Sequence, residues 1–193
     1  SQRPTRIRVD LDAIAGNLRA IAAHTGVPVM PIVKANAYGH GLVPVARHLQ
    51  AQGAGRLGVA FVEEGVALRE AGITLPILVL GGIFGPQVEL FLRHDLQLTV
   101  SSIAKLRQVE AAAQAMRRRA AIHLKIDTGM GRIGVHHGSA GAFIEAALAS
   151  RWCDIEGIYS HLACADDPDS PMTRLQLERF LEACAHFERL GAP

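Results

Sequence analysis

Short apolar runs alternate with stretches of helical spacing along the whole chain, and this rhythm constrains the fold more than any single residue does. Strands are predicted at 7–9, 29–33, 57–60, 77–80, 96–100, 121–126 and 155–161. The helices predicted between them begin with 13–24 behind Asp10 or Asp12 as N-cap, 42–52 with Pro44 in its first turn, and 63–71 ended by Gly72. Further helices are predicted at 86–94, from Ser101 or Ser102 to Arg119, at 140–150 and at 172–190. Strand then helix, repeated, builds a parallel sheet with right-handed crossovers, either a β/α barrel or a doubly wound sheet. Polar and glycine-rich residues gather after the strands, at 34–41, 81–82, 127–134 and 161–169. A rim made of several strand ends belongs to a barrel, whereas a doubly wound sheet concentrates its site at one switch point. The predicted class is α/β, a (β/α) barrel, with no internal repeat, low-complexity tract or linker.

One strand end stands apart. Val29-Met30-Pro31-Ile32-Val33 runs into Lys34 and at once into Ala35-Asn36-Ala37-Tyr38-Gly39-His40-Gly41. A lysine closing a buried run either snorkels its ammonium to water or stays desolvated, with a lowered pKa and a nucleophilic amine. Snorkelling is the commoner outcome for a lysine alone. Asn36, Gly39 and Gly41 shift the balance, because they allow a sharp turn at the strand's carboxyl end, where α/β folds place ligands.

A second informative stretch is Lys125-Ile126-Asp127-Thr128-Gly129-Met130-Gly131-Arg132-Ile133-Gly134. Strand alternation puts Lys125 and Asp127 on one face, opposite Ile126, so they form either a plain ion pair or part of a charged site. Arg132, set among three glycines, presents a planar fork suited to a carboxylate or phenolate oxygen. The third stretch, Gly157-Ile158-Tyr159-Ser160-His161, ends in a histidine that is either a hydrogen-bonded core residue or a site residue. His123 and His136-His137 have no carboxylate or cysteine at a recognised ligand spacing, so no metal is expected. Asp166-Asp167-Pro168-Asp169 reads as a solvated loop, and no Walker loop, GxGxxG or GxSxG is present.

With 193 residues, 49% of them hydrophobic, the chain can bury a substantial core. Its net charge of +2 and 5% aromatic content argue against a nucleic-acid surface; the dense basic run Arg117-Arg118-Arg119 is expected as a solvated helix end. Cys153, Cys164 and Cys184 form neither a disulfide framework nor a zinc motif. No run is long enough to cross a bilayer, and a cytoplasmic protein is expected.

Taken together, the segments 33–41 and 125–134 and, more weakly, Ser160-His161 resemble alanine racemase, and the similarity runs in order from Val9-Asp10-Leu11 to the helix 172–180. The resemblance implies the pyridoxal 5'-phosphate barrel domain of a racemase that interconverts L- and D-alanine for cell-wall precursors, a homodimer when complete. Lys34 would carry the cofactor covalently and act as the base on the D-amino-acid side of Cα. Tyr38 would hydrogen-bond the cofactor phosphate, Arg132 would reach the cofactor phenolate and the substrate carboxylate, and His161 would lie beside the ring. Lys125 stands where family members carry a carbamate, an anion that fixes Arg132. The opposite-face base, the arginine facing the pyridine nitrogen and much of the phosphate cup fall on no residue of this sequence. A non-catalytic pyridoxal-phosphate barrel is the competing reading and a racemase of broader substrate range a third; the 35–41 turn and the 125–134 stretch favour the alanine racemase. Six strand candidates after the first helix, against eight in a closed barrel, lead to the expectation of a barrel truncated after about six strands and inactive alone. Gly191-Ala192-Pro193 is expected as a helix stop before a seventh strand.

Overall fold

The computed structural model describes residues 4–190, so the expected stop at Gly191-Ala192-Pro193 lies outside the described residues. The chain divides between Leu80 and Gly81 into two compact units.

In the first unit, Asp10 is the N-cap of α1 (Leu11–Thr25), its carboxylate accepting the Ala13 N–H at 3.0 Å, and the helix closes on Gly26 in the left-handed region. Residues 7–9, expected as a strand, belong to no strand ladder; Ile7 is 88% exposed, and an unpaired run with no buried face has nothing to hold it as a strand. The expected strand at 29–33 is corrected as well. Only a single bridge forms there, Ile32 to Gly58, with the Val33 N–H donating to the Gly58 carbonyl at 2.8 Å and the Gly58 N–H to the Pro31 carbonyl at 2.9 Å. Pro28 and Pro31 lack the N–H groups that a continuous ladder requires.

The next turn, α2 (Lys34–Tyr38), is left-handed: Ala35, Asn36 and Ala37 sit at φ 52, 57 and 52, and Tyr38 at φ 53. α3 (Leu42–Ala51) follows, then β1 (Leu57–Val59), α4 (Val62–Glu70) and β2 (Ile77–Val79). β1 and β2 pair in parallel, Leu57 with Ile77 and Val59 with Val79, joined by α4 as a β-α-β crossover. Leu49, Leu57, Val59, Leu68 and Ile77 are sealed in its core.

The second unit repeats the pattern. A 3-10 turn at Gly85–Gln87 leads into α5 (Val88–Arg93), then β3 (Gln97–Val100), α6 (Ile103–Met116), β4 (Ala120–Asp127), β5 (Val135–His136), α7 (Ala140–Leu148), β6 (Cys153–Tyr159) and α8 (Met172–Arg189). β4 is central, pairing in parallel with β3 (Leu98 with Ile122), β6 (Lys125 with Tyr159) and the two-residue β5 (Ile126 with Val135). Its residues are buried on both faces, as a central parallel strand requires, and Phe91, Leu98, Ile122, Leu124, Phe143 and Ile144 form the surrounding core.

Two expectations change in this unit. α6, capped by Ser102, stops at Met116 rather than at Arg119, and left-handed Arg117 is its C-cap, so the exposed arginine run begins at the helix end as expected but continues past it. Arg119 instead forks onto Asp154, its Nε 2.8 Å from each carboxylate oxygen, and ties the start of β4 to β6. His161 lies past the end of β6 rather than within it. All the pairings within the two units are parallel and linked through helices except β4 to β5, so the α/β class expected from the alternation holds.

Candidate functional site

Lys34 follows buried Val33 at the bridge to Gly58 and is half-buried itself. The left-handed turn behind it is costly, on the order of 1–2 kcal/mol for each non-glycine residue, so it persists only where its surroundings dictate it. They do so on several sides. The Ala37 N–H donates to the Val33 carbonyl at 2.9 Å, the Leu42 N–H to the Asn36 side chain at 2.8 Å, and the Ala35 N–H to Glu64 Oε1 at 2.6 Å. Glu64 Oε2 accepts from Ala60 at 2.8 Å and from Phe61 at 3.2 Å. Tyr38 is 63% exposed, and its ring centroid lies 5.8 Å from Lys34 Nζ. Lys34 has no carboxylate or hydrogen-bond partner among the described residues, so its amine is not consumed by the fold. A groove of about 460 Å³ in the same unit is lined by apolar residues of α1 and the 29–33 run and includes Tyr38, not Lys34.

The second unit holds the other candidates. Lys125 is only 5% exposed, and its Nζ lies 4.2 Å over the Tyr159 ring, whose hydroxyl pairs with Thr99 Oγ1 at 2.7 Å. Burial, and then the positive charge of Arg132, push the Lys125 amine down to about 8, against a smaller opposing pull from Asp127. Burial likewise pushes the Tyr159 phenol up to about 12, only partly offset by the Thr99 hydrogen bond.

No ion pair joins Lys125 to Asp127, so the simplest sequence reading of the two is replaced. Asp127 turns to its own loop, accepting N–H groups from Gly129 and Gly131 at 3.0 Å. Burial opposes ionisation of Asp127, but the N–H groups of Gly131, Gly129 and Met130 outweigh it and hold the carboxyl below its ordinary value. The loop then passes so close to β4 that a Cβ at Gly134 would stand 2.7 Å from the Asp127 nitrogen. Arg132 is exposed in this loop, with no hydrogen-bond partner among the described residues.

His161 is exposed beyond β6, and its backbone is fixed from α8. Gln176, fully buried, donates to the His161 carbonyl at 2.9 Å and to Thr128 Oγ1 at 3.0 Å, and accepts the Ala163 N–H at 2.8 Å. Thr128 Oγ1 also meets Ser160 Oγ at 2.7 Å, and Arg179 donates to the Thr128 carbonyl at 2.8 Å. One helix side chain thus joins the ends of β4 and β6.

Glu64, Tyr159 and Gln176 were not singled out in the sequence. A glutamate in a helix's first turn reads as an ordinary cap, but a glutamine on the inward stripe of α8 is a visible signal, since a buried amide must be satisfied. Among the remaining histidines, His123 Nε2 pairs with Gln97 at 3.0 Å and the His136 and His137 rings lie 4.3 Å apart. No group of three or more histidine, cysteine or acidic side chains is arranged for a metal among the described residues. Asp167 closes its loop by accepting the Asp169 N–H at 3.1 Å. No helix among the described residues is long and apolar enough to cross a membrane.

The alanine racemase N-terminal domain family matches residues 9–193. Alanine racemase of Symbiobacterium thermophilum is 43% identical over 190 residues, 98% of this chain and 50% of that protein. Alanine racemase of Thermobifida fusca is 42% identical over 95% of this chain and 50% of its own length. Among solved structures, alanine racemase from the D-cycloserine-producing Streptomyces lavendulae superposes with a TM-score of 0.89 at 40% identity, over 100% of this chain and 52% of that one. The Bacillus anthracis alanine racemase with bound L-Ala-P gives 0.86 at 34% identity, over 96% and 48%. The chain spans about half the length of the curated relatives it matches. By residue identity along nearly its whole length and by the course of its backbone, this chain belongs to the alanine racemase family, where it corresponds to the N-terminal domain.

Proposed function

We propose that this chain is the cofactor-carrying domain of an alanine racemase and that Lys34 carries pyridoxal 5'-phosphate. One observation carries the reading: in a chain of this family, Lys34 presents a half-buried amine without a carboxylate partner at the entrance to a rigid left-handed turn. The residues present fit the group, since an aldehyde needs an unpaired primary amine and its phosphate and phenolate need donors, which Tyr38 and Arg132 supply. When bound, the cofactor delocalises negative charge from the substrate Cα, which lets a proton exchange there.

The chain's own residues do the rest. With the cofactor bound, Lys34 would take or return the Cα proton on the D-side, and, by the family resemblance, Tyr38 would hold the phosphate, Arg132 would pair with the substrate carboxylate and His161 would lie beside the ring. Lys125 serves Arg132. Its amine, held near 8, has a neutral fraction able to attack CO2: a nitrogen–carbon bond forms as one C=O π bond opens onto oxygen, the ammonium proton leaves to solvent, and the resulting carbamate is an anion whose charge would attract Arg132 where the ammonium repels it. The substrate is alanine, as in the relatives named above, and the complete enzyme is a cytoplasmic homodimer. The carrier alternative gains nothing from those relatives, each of which is an alanine racemase.

Borohydride reduction of the cofactor-loaded protein followed by peptide mass mapping tests the reading. The pyridoxyl mass is expected on Lys34 and is lost in Lys34→Ala; a label on Lys105 or Lys125 instead overturns it.

A further inference from the structure

Glu64 occupies the first turn of α4, where a glutamate ordinarily reaches back to its own helix's free N–H groups. Its Oε2 does this at Ala60 and Phe61. Its Oε1 does something that α4 has no use for: it takes the N–H of Ala35, the residue immediately after Lys34 and the first of the left-handed turn, at 2.6 Å.

We propose that Glu64 is a positioning residue for Lys34, holding the left-handed turn so that the amine is presented to the pyridoxal-phosphate aldehyde. The inference rests on the reading that Lys34 carries the cofactor. Alanine has no side chain of its own to favour a left-handed backbone, so Ala35 adopts it only under an external hold. The far side of the turn is fixed by Asn36 on the Leu42 N–H and by the Val33 carbonyl on the Ala37 N–H. The near side, adjoining Lys34, is gripped by the Glu64 carboxylate, and a hydrogen bond to an ionised acceptor is among the stronger kinds. The same carboxylate is anchored at the end of β1 through Ala60, so it transfers the strand's rigidity to the lysine's backbone. Without it, Ala35 would relax toward a right-handed or extended conformation and Lys34 would lose its fixed direction.

The test compares wild type with Glu64→Ala, Glu64→Gln and the double variant Glu64→Ala/Ala35→Gly. Pyridoxal phosphate affinity is read from its absorbance, the fraction of Lys34 fixed by borohydride from mass mapping, and the melting temperature from circular dichroism. Wild type unlabelled at Lys34 overturns the functional reading and this inference with it. With wild type labelled, Glu64→Ala is expected to weaken cofactor affinity about tenfold, with a smaller loss for Glu64→Gln, which keeps one acceptor. Adding Ala35→Gly is expected to recover most of the loss, because glycine occupies the left-handed region without the penalty that the carboxylate offsets. A simple helix cap gives a different pattern: a lower melting temperature with unchanged affinity, or an affinity loss that glycine does not recover, and either result overturns the proposal. If Glu64→Ala fails to fold, Glu64→Gln with and without Ala35→Gly carries the same comparison.

Discussion

Lys125 pays its solvation cost in a way that pH exposes. Its amine binds a proton up to 10.5 when unfolded but only to about 8 in the fold, so between those values the unfolded state holds more protons and stability rises with pH. Below about 8 both states are protonated and the penalty is constant, on the order of 3 kcal/mol. In CO2-free buffer, denaturant titrations from pH 7 to 10.5 should show this rise, and Lys125→Met should flatten it while stabilising the protein at pH 7 by about 1–3 kcal/mol. A slope that survives the substitution assigns the effect to another group. Adding labelled bicarbonate should produce a carbamate carbon signal that Lys125→Met lacks. The sequence revealed Lys34 as a cation ending an apolar run and Lys125 as a cation within a predicted strand on the same face as Asp127, local contradictions visible without coordinates. Glu64 and Tyr159 stayed hidden, since their importance lies in partners 29 and 60 residues away, at Ala35 and Thr99.

Periodicity located most elements to within a few residues and failed where backbone chemistry opposes it. The apolar run at 29–33 has a strand's composition, yet two prolines leave it a single bridge. β5 is the reverse case, a two-residue strand with no alternation to detect, delivered beside β4 by a glycine loop. It depends on Gly134, which has φ 129 and lies against the β4 backbone. Gly134→Ala meets strain and backbone collision together, and a side chain cannot move aside to relieve it. We expect a loss of about 2–4 kcal/mol in a denaturant titration, against a change within about 1 kcal/mol for Gly138→Ala, where φ is not positive and the nearest atoms belong to the His136 side chain. Comparable losses at the two positions would show that the close approach at Gly134 is not rigid.

At the scale of the chain, the family was legible from three separated stretches in the right order, and its relatives agree along almost all of it. Residues 1–193 alone are expected to form no D-alanine in a coupled assay, because the resemblance assigns the opposite-face base to none of them; a turnover comparable to that of a full-length relative would overturn that assignment. The bridge between Ile32 and Gly58 has a further consequence for motion. Among the described residues, two backbone hydrogen bonds, from Val33 and Gly58, tie the 29–33 run to β1, whereas β1 and β2 are paired along their length. Amide exchange should therefore be fast at Val29 and Ile32 under conditions where Leu78 and Val79 stay protonated for far longer. The run leading into Lys34 would then be one of the more easily opened pieces of its unit, up to the turn that Glu64 holds, and cofactor binding would slow exchange across that run more than anywhere in β1 or β2.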